Sequence, residues 1–245
     1  MILAMMGLQE IILIIISLVF MMVVITVVTL VIMFLYKRVF PTGEKQQKEV
    51  EKMKLSTVRS QLNPHFMFNA LAGIQNLMNK NDIDNANRYL GKFARLTRNV
   101  LEAKEQISIA EEMRLLDDYL QMEQLRFGFT FQIDAEYTLD TENIEIPSML
   151  LQPFAENAVK HGIANLKEPG NIMIKFSSKG NDLTLAIFDN GHGFKANSKS
   201  EGHGIKLMRS RIALFNSINK HTKMMMNINS GNEGTTVVIT LTNWL

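Results

Sequence analysis

Asp189-Asn190-Gly191-His192-Gly193 follows directly on the alternating apolar stretch Leu183 to Phe188, so a carboxylate stands at a strand end with pliable backbone just beyond it. Gly191 and Gly193 permit close approach of the chain to a ligand. Gly202-His203-Gly204 precedes a helical stretch, where backbone N–H groups at the helix start can receive phosphate oxygens. Taken singly, either glycine pair reads better as a loop turn.

In Glu156-Asn157-Ala158-Val159-Lys160-His161-Gly162, Glu156 and Lys160 are four apart, as are Asn157 and His161, so two polar pairs occupy neighbouring faces of one helix. One reading is an ion pair and a carboxy-terminal cap at Gly162. The other gives the neutral oxygen of Asn157 to Mg²⁺, a hard cation taking few protein ligands besides phosphates and water, with Lys160 offsetting phosphate charge. Upstream, Asn63-Pro64-His65 sets a histidine where Pro64 interrupts a helical pattern. A lone histidine is usually structural or solvated. A neutral imidazole is also a nucleophile near pH 7, which makes phosphohistidine chemistry possible.

The elements that must position these groups follow from periodicity. Strands are expected at Phe129 to Ile133, Ile172 to Phe176, Leu183 to Phe188 and Thr235 to Leu241, with a hairpin turn at Lys179 to Asp182. Helices at Ser148 to His161 and Ile205 to Ile218 interleave with them, predicting a mixed α/β domain. Before it, Asp84 to Glu102 has helical spacing, and Ser108-Ile109-Ala110-Glu111 reads as a capping box opening a helix towards Arg126. The polar stretch Glu44 to Arg59, set off by Pro41-Thr42-Gly43, fits a further helix.

Ile11 to Tyr36 carries no charge and only Ser17, Thr26 and Thr29 as polar interruptions. That exceeds the roughly 20 apolar residues needed to cross a bilayer, so an uncleaved transmembrane helix is expected. Lys37, Arg38, Lys45, Lys48, Lys52 and Lys54 follow it, and Glu10 precedes it, which places the carboxyl side in the cytoplasm. The residues before the span are too few for a ligand-binding domain, so any stimulus is expected through the span, the bilayer or a membrane partner. The 245 residues contain no cysteine, which excludes disulfide scaffolds, cysteine zinc sites and thiol nucleophiles. A net charge of +2 gives no bulk field for nucleic acid, and direct nucleic-acid binding is not expected.

The strings Gln61 to Asn69 (QLNPHFMFN), Tyr119 to Phe127 (YLQMEQLRF), Leu151-Gln152-Pro153, Glu156 to Gly162 (ENAVKHG), Asp189 to Gly193 (DNGHG) and Gly234-Thr235-Thr236 stand in the order seen in LytS-type sensor histidine kinases, which the chain resembles from about Leu55 to Leu241. The resemblance implies a bacterial inner-membrane protein. Residues 1–10 would be extracytoplasmic, 11–36 the single transmembrane helix, 37–127 a helical dimerisation and phosphoacceptor region, and 128–245 a GHKL ATP-binding sandwich. It further implies ATP and Mg²⁺, with His65 as phosphoacceptor, Glu156 as catalytic base, and Asn157 on the metal. Asp189 would hydrogen-bond the adenine amino group. Lys160, His161, Gly191, Gly193, Gly202, Gly204 and Thr235 would complete the nucleotide site. A homodimer and transfer to a response-regulator aspartate, often on a LytTR-type DNA-binding protein, are implied as well.

Two positions depart from common patterns. Ile205, Lys206 and Leu207 follow Gly204 where the family often has Gly-Leu-x-Asn, so one asparagine contact to nucleotide is expected to be missing. Phe66 follows His65 where many other histidine kinases have an acidic residue, as in the LytS pattern, and no proton acceptor is identified. The competing readings are an inactive ATP-binding membrane scaffold, which intact His65, Asn157 and Asp189 argue against, and a GHKL ATPase or serine kinase, which would not need the Asn-Pro-His context. Metal binding by His161, His192, His203 and His221 fits no ordinary zinc spacing.

Overall fold

A computed structural model describes residues 8–39, 64–102, 104–164, 166, 169–194 and 202–245. The chain divides into two compact units, Met1–Lys52 and Met53–Leu245. The expected helix over Glu44 to Arg59, the break at Pro41-Thr42-Gly43 and the residues just before Pro64 lie outside the described residues.

Among its described residues the first unit contains one helix, α1 (Leu8–Val39). Its stretch Ile15–Leu35 has mean hydropathy 3.1 and is not buried by protein, and among the described residues it is the one helix long and apolar enough to cross a membrane. Two of the polar interruptions are absorbed locally. Thr26 and Thr29 donate their hydroxyls to the carbonyls of Met22 and Ile25, each at 2.7 Å, so neither faces outward as a free donor.

The second unit opens with a helical hairpin, α2 (Pro64–Asn79) and α3 (Ile83–Glu102). On α3 the buried residues Ala86, Tyr89, Leu96 and Val100 recur at helical spacing and fix its inner face. The short strand β1 (Gln106–Ser108) leads into α4 (Ile109–Phe127). Here the expected capping box is present: the Ser108 hydroxyl accepts the Glu111 N–H at 3.1 Å. Arg95 on α3 grips Asp118 on α4 with two bonds of 2.7 and 2.8 Å, and Phe66 on α2 packs its ring 5.7 Å from that of Tyr119 on α4.

Next come β2 (Thr130–Ala135), β3 (Glu145–Pro147), α5 (Gln152–Asn157) continuing as a π-helical segment (Ala158–Ile163), β4 (Asn171–Lys179), β5 (Asp182–Asp189), α6 (His203–Ile218), β6 (Lys223–Gly231) and β7 (Gly234–Thr242). Strand β1 pairs with β3, and the other five form a sheet in the order β2-β4-β5-β7-β6, with β2 parallel to β4 and the rest antiparallel. Cross-strand register gathers Ile174, Ile187 and Val237, and likewise Phe176, Leu185 and Ile239, on one face. Against that face pack α4, the π-helical segment and α6, burying a continuous apolar core between one helical and one sheet layer.

The helix expected from Ser148 starts later, at Gln152. Residues 148–151 form a turn instead, with Met149 at φ 56°, because the buried Glu112 carboxylate accepts the N–H groups of Met149 and Leu151. Strands β1, β3 and β6 were not expected from the sequence; β6 was hidden because Met224, Met225 and Met226 are consecutive apolar residues that mask a period of two.

Candidate functional site

Between the helical layer and the ends of β5 and β7 lies a cavity of about 580 Å³. One wall comes from Phe154, Asn157, Ala158 and His161, spaced i, i+3, i+4 and i+7, so a single face of α5 and the π segment turns inward. The floor is the sheet. Asp189 pairs with Thr235 and Ile187 with Val237 across β5 and β7, so the period of two brings all four to the cavity. The third side is Gly202, Gly204 and Ile205 at the start of α6, with Gly193 and Phe194 from the loop after β5.

Asp189 is 5% exposed. Its Oδ1 accepts the Gly191 N–H at 2.9 Å, and the backbone N–H of Thr235 supports the carboxylate as well. Burial pushes its pKa above the ordinary aspartate value, and those two amides oppose the shift without cancelling it. The fit around it is close. A Cβ on Gly162 would stand 2.6 Å from the Asp189 Oδ1, so only glycine lets the π-helical segment pass over the carboxylate. Gly193 has φ 60° and would place a Cβ 2.0 Å from the Gly231 carbonyl oxygen, which makes glycine obligatory there too.

At the start of α6 the capping residue Gly202 offers no side-chain bond, and the first-turn amides have no acceptor within the helix, so polar backbone borders the cavity. Gly204 approaches Asn157: a Cβ there would lie 3.9 Å from the Asn157 Nδ2. Asn190 braces the loop, accepting the Asn171 N–H at 2.7 Å and donating to the Pro169 carbonyl at 3.2 Å.

Of the residues singled out in the sequence, Asn157, His161, Asp189, Gly193, Gly202, Gly204 and Thr235 thus border one cavity. Gly191 acts one step back, through its amide on Asp189. Glu156 and Lys160 are joined by an ion pair of 3.0 Å, so the simpler reading of that spacing also holds. His65 is the second residue of α2, on none of the elements that border the cavity, and its side chain is outside the described residues. The apolar lining, Phe154, Ala158, Ile187, Phe194, Ile205 and Val237, was not anticipated. Its signal was available: Ile187 and Val237 stand two residues from Asp189 and Thr235 on the same strand faces.

Residues 53–131 match the family model described as histidine kinase. The sensor histidine kinase YpdA of Escherichia coli is 34% identical over 177 residues, 71% of this chain and 31% of that protein. Sensor protein LytS of Streptococcus mutans is 30% identical over 209 residues, 80% of this chain and 35% of that protein.

The chain belongs to the LytS-type sensor histidine kinases.

This LytS-type chain spans about a third of the length of the curated relatives it matches. The solved histidine kinase domain of the blue-light activated histidine kinase from Erythrobacter litoralis is similar at a TM-score of 0.46 and 16% identity, over 79% of this chain and 96% of that one.

Proposed function

We propose that the chain is a protein histidine kinase of a two-component system: ATP bound in the cavity transfers its γ-phosphoryl group to His65, giving phosphohistidine and ADP, and the phosphoryl group then passes to a response-regulator aspartate. The observation that carries the reading is the convergence of Asn157, His161, Asp189, Gly193, Gly202, Gly204 and Thr235, drawn from separate stretches of sequence, around one cavity. Its volume of about 580 Å³ falls in the range usual for small-molecule sites.

The residues fit ATP end by end. Ile187, Val237 and Phe154 offer apolar surface for a base, beside a buried carboxylate that can accept only from a donor such as the adenine amino group. Gly202, Gly204 and the first-turn amides of α6 offer donors to phosphate oxygens. Mg²⁺, on the Asn157 side-chain oxygen and the phosphates, would supply charge neutralisation when bound. Lys160 adds positive charge, and Glu156 is the candidate base for the proton released by His65. Phosphoryl transfer depends mainly on positioning and charge, so this inventory suffices without a covalent intermediate on the cavity walls.

The proposed organisation is a membrane helix at 11–36, a helical dimerisation and phosphoacceptor region at 37–127, and the ATP-binding domain at 128–245. The basic residues after the span favour a cytoplasmic catalytic region at the bacterial inner membrane. The helices around His65 would form a homodimer, and a response regulator of LytTR type would accept the phosphoryl group. The test is incubation of the full chain, in detergent, with labelled ATP and Mg²⁺. Acid-labile label is the expected product. Acid-stable label would identify a serine kinase, and ATP binding without label a scaffold.

A further inference from the structure

Tyr119 lies in the string Tyr119 to Phe127, which the proposed reaction leaves without a task. Its ring is 1% exposed and fixed against Phe66, yet its hydroxyl has no hydrogen-bond partner among the described residues. Buried hydroxyls are normally paired, and phenylalanine would fill the same space without the cost. An unpaired donor held this rigidly has an acceptor in some other state of the molecule.

The neighbourhood narrows the choice. Helix α4 packs against α5 and the π-helical segment. The charges acting on the Tyr119 hydroxyl are Glu156, which ranks first, then Glu123 and Arg126. Glu123 already has a fixed partner: it is buried, and Arg126 bonds both its oxygens at 2.9 and 3.1 Å. Among the described residues Glu156 is held only by Lys160, at 3.0 Å, in a partly exposed pair. On the functional reading above, Lys160 has a second call on it, the phosphates of the nucleotide. When its ammonium turns to them, Glu156 is left unpaired beside Glu123, a like charge in a partly buried position.

We propose that Tyr119 is a positioning residue whose hydroxyl donates to the Glu156 carboxylate when Lys160 turns to the nucleotide's phosphates. The hydroxyl thus holds Glu156 in place through the step in which its ion pair is broken. The nucleotide half of this proposal rests on the functional reading; the pairing of Tyr119 with a lysine-free Glu156 does not.

Two measurements on the full chain in detergent separate these. The first needs no nucleotide. Tyr119→Phe in the wild-type background leaves the unfolding midpoint unchanged or raised, since no bond is lost, whereas in a Lys160→Met background, where Glu156 already lacks its lysine, Tyr119→Phe lowers it. Loss of stability in the wild-type background, or no loss in the Lys160→Met background, overturns the proposal. The second uses Mg²⁺ with a non-hydrolysable ATP analogue. Tyr119→Phe weakens its binding roughly 10- to 150-fold, the worth of one hydrogen bond to a charged group, and by less than twofold when Glu156→Ala, which leaves no acceptor, is also present. Equal effects in the two backgrounds overturn it. If the wild-type chain bound no analogue, the nucleotide reading itself would fall, and the first measurement would still decide whether Tyr119 serves Glu156.

Discussion

Glu112 on α4 and Arg211 on α6 hold the same four-residue turn from opposite chemical sides. The Glu112 carboxylate accepts the N–H groups of Met149 and Leu151, each at 3.0 Å, while the Arg211 guanidinium donates to the carbonyl of Ser148 at 2.7 Å and to that of Met149 at 3.4 Å. Glu112 is buried and Arg211 half-buried. Burial raises the Glu112 pKa and lowers that of Arg211, and in each case the partner's charge opposes the shift. The turn feeds straight into α5, and α6 starts at the opposite wall of the cavity, so this pair sets the spacing of the walls.

Glu112→Gln is therefore expected to destabilise the fold by about 1–3 kcal/mol, because one amide oxygen must serve two N–H donors, its NH₂ faces one of them, and Arg211 loses its counter-charge. Denaturant unfolding measures this. An unchanged midpoint would mean that the turn holds itself.

Gly162→Ala would place a Cβ 2.6 Å from the Asp189 Oδ1, a carboxylate pinned by the Gly191 amide and unable to yield cheaply. Affinity for an ATP analogue should fall about tenfold or more, the loss of one charge-assisted hydrogen bond. Titration calorimetry on the purified variant reads it directly, and wild-type affinity would contradict the assigned contact.

On the proposed reading Asp189 meets the base as an acceptor, so ITP, which presents a carbonyl where ATP has an amino group, should bind about 10- to 150-fold more weakly. Affinity should also depend on pH with a definite sign. Because burial raises the Asp189 pKa, protonation removes the acceptor at a higher pH than for an exposed aspartate, and ATP binding weakens as pH falls through that raised value. Competition binding across the acid range checks both. ITP within about twofold of ATP would remove Asp189 from the role.

Asn157→Ala should abolish Mg²⁺-dependent labelling with little effect on stability, since no hydrogen bond ties its side chain to another described residue. Labelling and thermal unfolding of the same preparation test it. Wild-type labelling at equal Mg²⁺ would show that the oxygen of Asn157 is dispensable.

How far the sequence reached is clearest from particular elements. Strands β4, β5 and β7 declared themselves because one face is buried and the other is not, and Ser108 marked the start of α4 through local chemistry that needs no tertiary partner. The start of α5 was misjudged by four residues, because its limit is set by Glu112, about forty positions away in sequence, and a local pattern carries no trace of that partner. The polar half of the site was legible as motifs. The apolar half was not singled out, since Phe154, Ile187 and Val237 look like any core residue until the register of β5 and β7 and the turn of α5 bring them to a common cavity.

The central claim is that His65 receives the phosphoryl group, and the most direct measurement is labelling of the full chain and of His65→Gln with γ-labelled ATP and Mg²⁺, beside nucleotide binding by both. The account predicts acid-labile label on the wild-type chain, none on His65→Gln, and equal binding of ATP, since His65 is on α2 and the proposed nucleotide cavity is bordered by α5, β5, β7 and α6. Acid-labile label on His65→Gln at the wild-type level would contradict it.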